Sequence, residues 1–145
     1  MHLVGQRRLP VDRERAWSAL NDPEILRAAI PGCESVEKCG DDEYVVVMSS
    51  ALGPVKARFR GRLKLENVVA LESYTMRFEG EGAAAGYAKG AADVTLTGEG
   101  METLLDFRAE AQVGGRLAQV GSRLIDPAAH KLVDEFFAAF EKLVR

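Results

Sequence analysis

With 145 residues, 47% of them hydrophobic and 28% charged, the chain has the make-up of one ordinary globular domain. Folding at this length buries roughly 70% of the surface the unfolded chain exposes, so neither a metal nor a disulfide is required. A net charge of −3 excludes the strongly basic balance of a general nucleic-acid binder.

Leu3 to Leu9 alternates as an opening strand, with Leu3, Gly5, Arg7 and Leu9 on one face, and Pro10 ends it. Asp12 is placed to cap a short helix carrying Ala16, Trp17, Ala19 and Leu20. Asp22 caps a second helix, Glu24 to Ala29, with Pro23 at its first position and Ile25, Leu26 and Ile30 as its apolar residues; Pro31-Gly32 stops it. Strands follow at Glu34 to Lys38, at Glu43 to Ser50 after a Gly40-Asp41-Asp42 turn, and at Val55 to Glu66 after a Gly53-Pro54 turn. The last of these alternates strictly. Val55, Ala57, Phe59, Gly61, Leu63 and Leu65 share one face, and Lys56, Arg58, Arg60, Arg62 and Lys64 share the other. Glu72 to Glu79 groups Tyr74, Met76 and Phe78. The Gly/Ala-rich stretch Gly80 to Gly90 reads as a flexible connection and a candidate mobile lid at the mouth of the sheet. Its strand-to-strand context does not suit a phosphate-binding glycine loop. Ala92 to Thr97 and Leu104 to Val113 are the last strands, joined through Gly98-Glu99-Gly100. After Gly114-Gly115 one helical pattern runs to the C-terminus, with Leu117, Val120, Gly121, Leu124, Ala128, Leu132, Phe136 and Phe140 on its stripe. Pro127 predicts a kink or break near Asp126.

This order predicts an α+β helix-grip fold in a single domain over residues 1–145. A curved antiparallel sheet of about seven strands wraps around a long C-terminal helix, with two short helices after the first strand. Such an arrangement leaves an apolar cavity. Phe59, Leu63, Tyr74, Met76, Phe78, Val94, Leu96 and Phe107 are expected to line it from the sheet. Trp17, Ile25 and Ile30 close one end, and Leu117, Val120, Gly121 and Leu124 face in from the helix. Small residues at Ala57, Gly61, Gly90, Ala92, Ala109 and Ala111 subtract volume, and Tyr74, Tyr87 and Thr95 are the candidate polar groups in an otherwise greasy lining.

Catalytic machinery is not expected. The histidines are His2 and His130 alone, and no Ser–His–Asp or Cys–His set assembles around them. Cys33 and Cys39 lack the companions of a zinc site. Glu79, Asp93, Asp106 and Glu110 alternate opposite apolar residues and read as outward strand charges. No cofactor is implied. The chain opens without a signal-peptide apolar core and holds no run of 18 apolar residues, so a cytoplasmic protein with free thiols is expected, with peripheral contact at the inner membrane face left open. The row Lys56, Arg58, Arg60, Arg62, Lys64 is either a solvated outer face or a docking patch for an acidic partner or an anionic lipid surface.

Three ordered stretches carry a resemblance. They are Asp22-Pro23-Glu24-Ile25-Leu26 continuing through Ala29-Ile30-Pro31-Gly32-Cys33-Glu34-Ser35, then Gly53-Pro54-Val55-Lys56 with Phe59-Arg60-Gly61. The third is Val113 to Asp126 (VGGRLAQVGSRLID) with Asp134-Glu135-Phe136-Phe137. Together they resemble the CoxG family of the aerobic carbon monoxide dehydrogenase system, a branch of the START-like (SRPBCC) superfamily. The resemblance implies a helix-grip domain with an internal hydrophobic pocket. It further implies association with a molybdenum hydroxylase, or its maturation proteins, in maturation or membrane recruitment. It does not imply carbon monoxide oxidation, for the sequence has no molybdenum, iron–sulfur or flavin ligand set. Two departures stand out. Many relatives extend to a C-terminal apolar anchor whereas this sequence stops at Arg145, and Pro127 stands where relatives often have glycine. The expected function is therefore non-enzymatic binding of an apolar or amphiphilic small molecule, an isoprenoid quinone being one physically sensible ligand. The rivals are a cyclase- or dehydratase-type enzyme, as in other START-like relatives, and a pure docking adaptor.

Overall fold

The computed structural model describes residues 1–52 and 55–145; the expected Gly53-Pro54 turn lies outside the described residues. The chain runs β1 (His2–Leu9), α1 (Arg13–Leu20), α2 (Pro23–Ala29), β2 (Cys33–Gly40), β3 (Glu43–Leu52), β4 (Val55–Val69), β5 (Ser73–Gly82), β6 (Gly86–Glu99), β7 (Glu102–Gly114), α3 (Arg116–Val120) and α4 (Ser122–Val144). The strands form one curved antiparallel sheet in the order β1-β7-β6-β5-β4-β3-β2. The opening and closing strands therefore pair with each other at one edge, Gly5 facing Phe107.

Local chemistry sets the elements. Asp12 Oδ1 accepts from the Arg15 amide at 2.9 Å and starts α1; Asp22 Oδ1 accepts from the Glu24 amide at 2.9 Å and starts α2, with Pro23 where no N–H is needed. In β4 the predicted alternation holds: Lys56, Arg58, Arg60, Arg62 and Lys64 are all exposed on the outer face, and Leu65 is buried on the inner.

Two expectations are corrected. The helical break falls at Gly121, not near Asp126. Gly121 has φ +87°, a conformation L side chains rarely adopt, and it separates α3 from α4. Helix α4 then runs through Pro127 uninterrupted. The proline sits in its second turn with its ring exposed, so the lost hydrogen bond concerns only the solvent-side start of the helix. The Gly80–Gly90 stretch is not a lid. Strands β5 and β6 continue through it and leave a turn of three residues, Ala83–Ala85. That turn is held down. The Ala85 amide donates to Gly82 O, Ala85 O accepts from the Leu117 amide at 2.9 Å, and Ala85 is buried.

Aromatic rings lie across glycines on neighbouring strands. A Cβ on Gly90 would fall 2.7 Å from Phe78 Cζ, one on Gly5 would fall 2.6 Å from Phe107 Cζ, and one on Gly82 would fall 3.2 Å from Phe59 Cδ1. The rings are thus laid along the sheet rather than raised from it, which glycine alone permits.

At the α1 end Trp17 meets Tyr74 edge to face at 5.6 Å, and the Tyr44 hydroxyl donates to Asn21 O at 3.2 Å. Burial, and secondarily the neighbouring Tyr44, hold the Tyr74 phenol well above its ordinary value of 10. Burial, followed by Asp42 and Asp22, raises Tyr44 as well.

These contacts make two predictions. Gly90→Ala would set its Cβ 2.0 Å from Glu110 O and should cost about 2 kcal/mol or more. Gly100→Ala, where φ is +66° but nothing lies within 4 Å, should cost about 1 kcal/mol for conformation alone. Urea unfolding checks the ranking, and equal losses would refute the close-approach account. For the phenols, the sign follows from linkage: a folded pKa raised above 10 gives stability that is fully present below pH 10 and is lost as pH rises beyond it. The unfolding midpoint should therefore fall above pH 10, and less steeply in Tyr74→Phe; parallel curves would contradict the burial account.

Candidate functional site

The concave face of the sheet is apolar, yet it is not sealed. One core cluster fills the α1/α2 end, from Leu9, Ala16, Ala19, Leu20, Leu26 and Ala29 through Val94, Leu96 and Leu105 to Phe137, Phe140 and Val144. A second, small cluster closes the other end with Ala85, Leu117 and Ile125, supported by Phe59, Val113 and Val120. Between them Phe78, Ala88, Gly90, Ala109 and Ala111, on the neighbouring strands β5, β6 and β7, belong to neither cluster and keep accessible surface. Helix α4 makes its close backbone approaches to α1, α2, α3, β1 and β3 rather than to the centre of the sheet. The space between α4 and the central strands is therefore the candidate site.

The structure brings together most of the expected lining. Leu63, Met76 and Phe78 sit on adjacent positions of β4 and β5, partly exposed on the concave face, and Phe59 and Phe107 flank them. Trp17, Ile25 and Ile30 pack at the α1/α2 end and keep partial exposure. Val94 and Leu96 lie deeper in the filled cluster, and Leu117 is part of the opposite closure. Val120 and Gly121 border that closure at the break between the helices, where nothing lies within 4 Å of a Cβ on Gly121.

Three residues are corrected. Tyr87 pairs with Glu81, and Glu81 with Arg60, so its side chain belongs to the outer face; it is 46% exposed and its ring covers Gly114. Thr95 is exposed on the same face. Leu124 is 50% exposed, because restarting the helix at Gly121 rotates Ile125 inward in its place.

Other residues were not anticipated. Phe137 stacks on Phe107 with centroids 5.7 Å apart, and Phe136 stacks on Phe140 at 5.7 Å. The spacing Val133, Phe137, Phe140, Val144 is also helical and could have identified this stripe. Arg7 crosses from β1 to α4. Its Nη2 donates to Asp134 Oδ1 at 2.6 Å, and its guanidinium lies 5.7 Å from the Phe107 ring and 5.3 Å from the Phe137 ring. It closes the sheet edge with a charge over two aromatic faces.

On the outer face the basic row is interleaved with acids. Arg58 pairs with Glu34 at 2.7 Å and Lys64 with Glu43 at 3.9 Å, and Arg60 and Arg62 stand opposite Glu81 and Glu79 in register. Two open grooves there are lined by sheet and turn residues, without any residue of α4. Cys33 and Cys39 are free thiols; burial raises Cys33, and its thiol donates to Ser35 O at 3.4 Å. No helix of the described residues is long and apolar enough to cross a membrane.

Comparison with known proteins places this architecture. A conserved protein from Geobacillus kaustophilus superposes with a TM-score of 0.92 at 28% identity, over 99% of this chain and 95% of that one. A START superfamily protein from Mycobacterium smegmatis gives 0.71 at 12% identity over 99% and 96% of the two chains. The Zhui aromatase/cyclase from Streptomyces sp. R1128 gives 0.72 at 12% identity over 99% and 93%. The last two likenesses show the START-like fold alone. No curated protein has a matching sequence. The carbon monoxide dehydrogenase family CoxG matches residues 5–144. With that match spanning nearly the whole sequence, the chain belongs to the CoxG family.

Proposed function

We propose that this protein is a non-enzymatic carrier that shelters an apolar or amphiphilic molecule between α4 and the sheet. It would serve as an accessory to a molybdenum hydroxylase of the carbon monoxide dehydrogenase type, in maturation, membrane recruitment or ligand handling. The observation that carries this reading is the unsealed apolar strip around Phe78, Gly90 and Ala111, between two separately packed clusters. Burial of ligand surface there contributes about 25 cal/mol per Å² before association costs. An isoprenoid quinone fits such chemistry, being long, greasy and tipped with carbonyl oxygens. Family membership supports the hydroxylase as the partner. The perturbed groups Cys33, Tyr44 and Tyr74 are all raised, which holds each in its neutral form. That favours a carrier over an acid–base catalyst.

Native mass spectrometry of freshly purified protein, followed by organic extraction, tests the reading. A released quinone or lipid is expected. Phe78→Asp should abolish it, whereas Leu124→Asp, outside the strip, should retain it. An empty wild-type protein that also refuses added quinones and fatty acids would overturn the carrier and favour an adaptor docking through Lys56, Arg58, Arg60, Arg62 and Lys64.

A further inference from the structure

The buried polar side chains at the α1 end are partnered one by one, with a single exception. Thr103 Oγ1 donates to Val11 O at 2.8 Å, Asn21 Nδ2 to Trp17 O at 2.9 Å and the Tyr44 hydroxyl to Asn21 O at 3.2 Å. Tyr74 is 7% exposed and fixed edge-on against Trp17, and the interactions that shape its ionisation include no hydrogen bond. Leaving a sealed hydroxyl unpaired is costly. Among the described residues no fully sealed side-chain nitrogen or oxygen lacks a partner. The Tyr74 oxygen must therefore border open space, and the depth of the residue makes that space interior.

We infer that the Tyr74 hydroxyl is the polar anchor of the interior site, donating its hydrogen bond to a neutral oxygen at the head of a long apolar ligand. This rests on the reading that the interior holds a ligand, and adds to it which end of the ligand goes where. The head lies at the α1 end beside Tyr74, and the tail runs along Met76 and Phe78 toward Phe59 and Val120. The phenol stays protonated because burial disfavours its anion, so it is always a donor. Asp22 and Asp42 act on the adjacent Tyr44 with negative charge, which turns the head group's choice against a carboxylate. The ligand class is thus a ketone, ester or other neutral carbonyl on a long chain, and not a fatty acid.

Displacement of the neutral fluorophore N-phenyl-1-naphthylamine by undecan-2-one, undecane and undecanoate tests this on the full chain, wild type against Tyr74→Phe. Wild-type protein should bind the ketone about tenfold more tightly than the alkane or the carboxylate. Tyr74→Phe should weaken the ketone by about tenfold and leave the alkane unchanged. The free variant should melt no lower than wild type, since the hydroxyl has no protein partner to lose. An unchanged ketone preference, a carboxylate that binds as well as the ketone, or a lowered melting midpoint would each overturn the anchor while leaving the carrier intact. Failure of the wild type to bind fluorophore or any of the three would overturn both.

Discussion

A single helix has to cover the concave face of seven strands. Strands spaced about 4.8 Å apart make a sheet on the order of 29 Å across, whereas a helix with its side chains is about 10–12 Å in diameter. Coverage must therefore be incomplete unless large side chains fill the difference. This chain fills it at the two ends and not in the middle. The α1/α2 pair supplies Trp17, Leu20 and Leu26 at one end, and the turn of Ala85 with Leu117 and Ile125 supplies the other. Phe78 and its small neighbours are left with the remainder.

What holds the helix off the centre of the sheet is its attachment at the margins. Helix α2 and the edge strands β1 and β3 make the close backbone approaches, and the Arg7–Asp134 pair over Phe107 and Phe137 fixes one side. Asp134 is largely exposed, so the ion pair itself contributes little; the stacked stem and rings supply most of the contact. Gly121 then lets α3 turn down onto Ala85 while α4 keeps its own course. The interior is thus a by-product of where the helix is tied.

Much of this was legible in the residues. Strict alternation in β4 and the Asp12 and Asp22 caps gave each element its place, because a period of two and a side-chain acceptor before a helical pattern are local signals. Three separated motifs pointed to the family. The phase of α4 was harder to read. Leu124-Ile125 and Phe136-Phe137 are adjacent apolar pairs that permit two stripes one residue apart, and only the break at Gly121 selects between them. Tyr87 failed for a related reason. A stretch of glycine and alanine carries no alternation, so the length of its turn is unreadable, and one residue of register moves every following side chain to the other face. The open interior is a matter of packing, and small residues in a sequence can only hint at it.

The rings laid over glycines have a further meaning. Phe78 on Gly90, Phe107 on Gly5 and Phe59 on Gly82 keep aromatic mass flat against the wall. Each pair behaves as a shim that sets the bore of the chamber. Replacing one glycine by a residue with a side chain would tip its ring toward the helix and narrow the bore locally, with strand order and edge ties untouched. Capacity for a guest is in this sense adjustable position by position, and it can drift between relatives that share the same scaffold. Two homologues of this fold can then differ in what they hold, or in whether they hold anything, while their backbones superpose.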